Sequence, residues 1–415
     1  MQRKLTAYLL ICLASLCLFS GCAENRLIPA DNLYQLICVA PDRTHRLNHA
    51  NHGNDSILTN KYAGYTFTVT DALNWLKQTN GNITFVLEVR DLEAISDERV
   101  IETGIEYQKN IINCFKQAYD SLKQSEPRNK TLKMPRFYIG TPEENSIKGI
   151  EIYEGIISDF PNEWIEGIFF AGEGPEDLDK HIDAVSEFIH KKGKKLLWIP
   201  YFNSKGDFFE IARKADIGLT DITIMQVGYF YREFDEIKGE NDLLLYQREA
   251  SIYKSMEAGR FLWVEDPNNW DVCVSASEKS DFNIGVQFEY DNSLFTGRTI
   301  KSSSTPAEKV DYFNQSLEKF KPFIGSKTIG IYTGGVSEQG YNDININKNP
   351  HNIYNYIPAN YDSKTNFHGS GTLYNEFGVT YDGNLMYDIF NELFINRSDF
   401  EISLEENEIK INKKE

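Results

Sequence analysis

Two glutamates that close short apolar runs give this sequence its first chemical signal. One lies in Phe169-Phe170-Ala171-Gly172-Glu173-Gly174-Pro175, the other in Gly285-Val286-Gln287-Phe288-Glu289-Tyr290-Asp291. A carboxylate at the end of a buried strand is costly unless it reaches solvent or a partner. Two of them at one site can divide the work of proton transfer, one held ionised and the other protonated by their surroundings. Strand side chains alternate, so Gln287 shares a face with Glu289, and Phe169 and Ala171 share one with Glu173. Gln226 and Gln287 could hydrogen-bond Glu289 and keep it charged. Phe169 and Phe170 could desolvate the surroundings of Glu173. Plainer roles also fit: a loop residue near a helix cap for Glu173, a rim ion pair for Glu289.

Such residues need a scaffold that brings strand ends together. Eight compact apolar segments read as strands: Leu36–Ala40, Phe85–Val89, Arg136–Gly140, Gly167–Gly172, Lys195–Phe202, Asp221–Phe230, Ile284–Tyr290 and Thr328–Thr333. Helix-period segments separate them, with stop signals at Asn80-Gly81 and Gly193. Continuously apolar strands that alternate with helices indicate a parallel sheet covered on both faces. The expected fold is α/β, a (β/α)8 barrel of the TIM type forming one domain over 33–396. A final helix is expected at Leu385–Ile395. Elaborated loops are expected before strand seven, around Phe261–Asp281, and after strand eight, around Gly340–Gly378. An open doubly wound sheet is the competing arrangement, but no GxGxxG follows the first strand and no P-loop occurs. The tail, 397–415, alternates charge with Ile and Leu and reads as a small edge strand or a frayed end.

Other polar groups fall at strand ends and could line the same mouth. Glu88 lies near the end of strand two and Asp91 just past it, Gln226 lies in strand six, and Tyr229 and Tyr231 flank that strand's end. Tyr201 and Trp198 belong to strand five; Tyr201 is read as ligand-facing and Trp198 as core. His45, His49 and His52 lie in an Asn- and Gly-rich stretch without a completing carboxylate or cysteine pattern, so no metal is expected. No cofactor motif is present. Lys and Arg number 43 against 61 Asp and Glu, a formal charge of −18 without a basic cluster, which argues against nucleic acid as partner. Tyr, at 23, and Phe, at 26, are abundant enough to supply stacking faces for a neutral ligand such as a sugar.

The N-terminus reads as an address. Arg3 and Lys4 precede an apolar run, Leu5 to Phe19, too short for the ~20 residues of a membrane span. Leu18-Phe19-Ser20-Gly21-Cys22 resembles the lipobox of bacterial lipoproteins, with Phe19 where Leu is usual. That resemblance implies removal of 1–21, lipid on Cys22 and a tether over 22–32. Ala23 favours the outer membrane, with the lipid as the chain's sole membrane contact. Cys38 and Cys114 sit in apolar patterns and read as buried structural thiols.

Glutamates after strands four and seven resemble the arrangement in the largest barrel clan of retaining glycosidases. The resemblance implies Glu173 as acid/base and Glu289 as nucleophile, although Gly172 stands where the clan commonly carries Asn. Retaining chemistry needs carboxyl groups about 5–5.5 Å apart and inverting chemistry about 6.5–9.5 Å. Three stretches also resemble the bacterial family known as domain of unknown function 4855. They are Leu197-Trp198-Ile199-Pro200-Tyr201-Phe202-Asn203, Ile224-Met225-Gln226-Val227-Gly228-Tyr229-Phe230 and the segment from Ile284 to Asp291. Ile331-Tyr332-Thr333-Gly334-Gly335 resembles its Tyr-containing strand before a Gly pair and adds Tyr332 to the substrate-binding candidates. That likeness implies a barrel in a cell-envelope setting and no particular reaction. Two readings stay open. One is an envelope-anchored glycoside hydrolase acting on a polysaccharide or glycoconjugate; the other is a glycan-binding or structural barrel without turnover.

Overall fold

The computed structural model describes residues 32–39, 67–89, 99–142, 145–172, 174, 181–202, 204–227, 242–289, 306–332, 372–374, 380–382, 389, 391–396, 398–406 and 408–414. Eight parallel strands close on themselves: β1 (Leu33–Val39), β2 (Thr84–Val89), β3 (Arg136–Gly140), β4 (Ile165–Phe170), β5 (Lys195–Trp198), β6 (Ile222–Gln226), β9 (Asn283–Glu289) and β10 (Thr328–Tyr332). The numbering passes over β7 (Leu262–Val264) and β8 (Cys273–Ser275), an antiparallel hairpin inserted before β9. β10 pairs with β1 and completes the ring. The helices between barrel strands are α1 (Val69–Thr79), α2 (Val100–Ser125), α3 (Lys148–Ile157), α4 (Ile182–Lys191), α5 (Lys205–Asp216), α6 (Asp242–Ala258) and α7 (Pro306–Phe320). This is a (β/α)8 barrel.

Local chemistry sets the element ends. Thr68 caps α1 by accepting from the Asp71 N–H, and the Asp71 carboxylate accepts from the Thr68 N–H at 2.8 Å. Asn80 (φ 52°) and Gly81 (φ 73°) then end it in the left-handed region. β5 stops at Trp198, earlier than its apolar run suggests, because Pro200 has no N–H for the ladder. β4 starts two residues before the expected Gly167, where its register with β3 shifts between Phe137 and Tyr138.

Alternation sorts the strands into two cores. Outward side chains pack under the helices: the Phe85 and Phe115 rings lie 4.4 Å apart, and those of Phe115 and Phe137 5.4 Å. Inward side chains fill the barrel: Tyr34, Leu36, Val86, Tyr138, Phe169, Leu197, Ile199, Ile222 and Ile224. Arg136 and Glu166 form an ion pair at 3.0 Å at the N-terminal end. Burial, then the nearby Tyr34, pushes the Tyr138 hydroxyl well above its ordinary pKa, so it stays protonated. Gly167 is required where β4 meets β5, since a Cβ there would lie 1.8 Å from the Lys195 carbonyl oxygen. The interior is therefore plugged, as in other barrels of this type, whose sites lie at the C-terminal mouth.

The tail is ordered structure. β13 (Phe400–Glu405) and β14 (Glu408–Lys413) form an antiparallel hairpin in one sheet with β11 (Thr372–Tyr374) and β12 (Thr380–Asp382). The Asn314 side chain on α7 donates to the Ile402 carbonyl at 2.7 Å and accepts its N–H at 2.9 Å, while Phe400 and Ile402 join the outer core. Of the expected final helix, a π-helical turn at Asn391–Asn396 is described, and it packs on α1. Most of the long segment after β10 lies outside the described residues, as do Cys22 and the loop histidines. No described helix is long and apolar enough to cross a membrane.

Candidate functional site

Above the apolar plug, three barrel strands end in inward-facing polar side chains. Glu88 on β2 follows Val86 on the inner face, Gln226 follows Ile224 on β6, and Gln287 lies between the outward Val286 and Phe288 on β9. They are 8%, 6% and 5% exposed, so each is more than nine-tenths buried. Gln226 and Gln287 are register partners on neighbouring strands, and β10 offers only Gly330 beside Gln287. Gln226 is tied to the end of β5. Its Nε2 donates to the Ile199 carbonyl at 3.2 Å and its backbone N–H to that of Pro200 at 3.1 Å. Gln287 is different: its Oε1 is buried with no hydrogen-bond partner among the described residues.

The rim beside β5 is built around a cation that sequence reasoning missed. Arg248, on α6, is fully buried; its guanidinium lies 4.7 Å from the centre of the Tyr201 ring and 5.3 Å from that of Phe202. Its Nη1 donates to the Val227 carbonyl, just past β6, at 3.2 Å. The arrangement fixes the half-buried Tyr201 ring by cation–π contact and ties α6 to the mouth. The signal was an Arg-Glu pair inside Leu243-Leu244-Leu245-Tyr246-Gln247-Arg248-Glu249-Ala250-Ser251-Ile252, where periodicity gives no reason for a charge to be inside.

One other constellation imitates catalytic chemistry. Ser186 Oγ lies 3.3 Å from His190 Nδ1, and His190 Nε2 lies 2.8 Å from the Asp221 carboxylate. The Ser186 hydroxyl, however, donates to the Leu219 carbonyl at 2.9 Å, and Asp221 also accepts the Leu196 N–H at 2.7 Å. With its proton committed and its side chain buried at the opposite end of the barrel, Ser186 is a tether, not a nucleophile. Cys114 is equally inert: burial, then Asp71, raises its thiol to about 11. Among the described residues no group of three or more His, Cys, Asp or Glu could hold a metal ion.

No protein-family model matches the chain, and no curated protein matches it in sequence. Among solved structures, a GH18 chitinase from Pseudoalteromonas aurantia is similar to 66% of this chain over 94% of its own length, at 11% identity and a TM-score of 0.32. The barrel assignment rests on the strand order itself.

The residues singled out from sequence fare unequally. Gln226 and Gln287 are neighbours at the mouth, Glu88 lies near the end of the strand across the barrel from Gln226, and Tyr201 is at the rim. Glu289 and Tyr332 end β9 and β10 as register partners, and only their backbones are described. Glu173 and Tyr229 lie outside the described residues, as does Tyr231. Trp198 is core: it is fully buried on the outer face, and its indole N–H donates to the Gly172 carbonyl at 2.7 Å.

Proposed function

We propose that the C-terminal mouth of this barrel is a glycan site, and that the chain is an envelope-anchored glycoside hydrolase. The observation that carries the reading is the set of buried polar side chains, Glu88, Gln226 and Gln287, above an apolar plug. Burying polar groups there costs free energy that a purely structural rim would avoid. In the proposed reaction the Glu289 carboxylate attacks the anomeric carbon while the leaving oxygen takes the Glu173 proton. Glu173 then removes a proton from water, whose oxygen displaces Glu289 and releases the sugar. Supporting these roles, Glu289 ends the seventh barrel strand, and Glu173 comes three residues after the end of the fourth. The likeness to the domain of unknown function 4855 family belongs to the same proposal.

The test is reducing-end release from plant and bacterial envelope polysaccharides by the purified chain lacking residues 1–21. New reducing ends from at least one polysaccharide are expected. Saturable binding without release would favour the binding-only reading, and neither binding nor release would end the glycan assignment.

Lipid anchoring at Cys22 is proposed from Ser20-Gly21-Cys22. Cys22→Ala should abolish incorporation of labelled palmitate and move the protein out of detergent extracts of membranes, or leave it unprocessed. Unchanged labelling in that variant would overturn the anchor.

A further inference from the structure

We infer that Gln287 is a ligand-reading residue, and that the mouth selects a neutral, polyhydroxylated sugar over a uronate or a sulfated one. This rests on the glycan reading above and names the substrate class of the same site. The carboxamide is 5% exposed, it faces the barrel interior, and its Oε1 has no partner among the described residues. A buried acceptor in that condition destabilises the free protein, and a ligand donor that supplies the missing hydrogen bond recovers the loss. Neutral amides suit hydroxyl groups, because each side can both donate and accept.

The neighbours set the sign of the ligand. Gln226, the register partner of Gln287, is also a neutral amide, and its Nε2 is already committed to the Ile199 carbonyl. Glu88, on the strand across the barrel from β6, brings a carboxylate to the same layer. An anionic ligand would leave water for a layer whose described inward side chains include no cation, and burying a charge without a counter-charge is costly. Arg248, the buried cation at the rim, lies against the Val227 carbonyl and the Tyr201 and Phe202 rings. Inward-facing strand-end polar groups among the described residues are thus amides and one carboxylate.

The experiment is titration calorimetry of the chain lacking residues 1–21 with two sets of probes. The neutral set is cellohexaose, mannohexaose, xylohexaose and maltohexaose; the anionic set is hexagalacturonate and a heparin hexasaccharide. Binding of at least one neutral probe, at least tenfold tighter than either anionic one, is expected. Gln287→Leu should weaken that binding roughly tenfold while its melting temperature holds or rises, since an orphaned polar group has been removed. Gln287→Met, which keeps the length of the side chain, replaces it if the leucine variant does not fold. Equal or tighter binding of an anionic probe, or wild-type affinity in a folded Gln287 variant, would overturn the inference and leave the glycan reading standing. Failure of every probe to bind would defeat both.

Discussion

Glu289→Gln is expected to lower turnover on any glycoside this barrel cleaves by about 10³-fold or more, with little change in melting temperature. The substitution keeps the shape of the side chain and removes the charge that a nucleophile needs. Glu173→Gln is expected to behave differently. It should lose about 10²–10⁴-fold on natural glycosides and much less on aryl glycosides, whose leaving groups depart without a proton. The asymmetry matters more than either loss, because misfolding would depress both kinds of substrate alike. In the barrel, β5 and β6 separate β4 from β9, so the two strands that precede these glutamates in sequence are not neighbours. Assaying both variants on a natural and an activated form of one glycoside is the measurement. Near-wild-type turnover by Glu289→Gln would end its assignment as nucleophile, and equal losses on both substrates by Glu173→Gln would end the acid/base role.

The barrel was legible because its signals are local and repeated. Runs such as Phe85–Leu87 and Leu196–Trp198 are buried on both faces, so they read as continuous apolar blocks in sequence. The polar ring was legible for the same reason: Glu88, Gln226 and Gln287 interrupt apolar runs at positions that alternation turns inward. Less visible was anything that depends on contacts between elements. Arg248 and Glu249 lie side by side on α6 and are both fully buried, a state that helix periodicity assigns to apolar residues. Gln108 escaped notice in the same way. It reaches from α2 to clamp Gly140, donating to its carbonyl at 3.0 Å and accepting its N–H at 2.8 Å. The early end of β5 and the irregular start of β4 likewise follow from one proline and one register shift, which boundary signals in a single strand do not carry.

The largest stability effect expected outside the barrel interior is at the contact between α6 and α7. Glu249 is fully buried, and its carboxylate accepts a hydrogen bond from Lys319 on α7, while its other oxygen has no partner among the described residues. The Lys319 ammonium lies 5.9 Å from the Trp270 ring, which packs at 5.3 Å on Tyr253. Lys319 itself keeps a path to water, with 31% of its side chain exposed. A surface pair would be worth ~0–1 kcal/mol, whereas stranding a buried charge costs about 3–5 kcal/mol. Because water can follow the departing ammonium, Lys319→Met should fall near the lower end, about 3 kcal/mol. Methionine retains the apolar stem, so the loss reports charge and not packing. The double variant Glu249→Leu/Lys319→Met should recover most of that loss, since a well-packed apolar pair avoids the desolvation of both ions. Urea unfolding of the wild type, both single variants and the double variant closes the cycle. A loss below ~1 kcal/mol for Lys319→Met would mean that Glu249 is held by something other than this lysine.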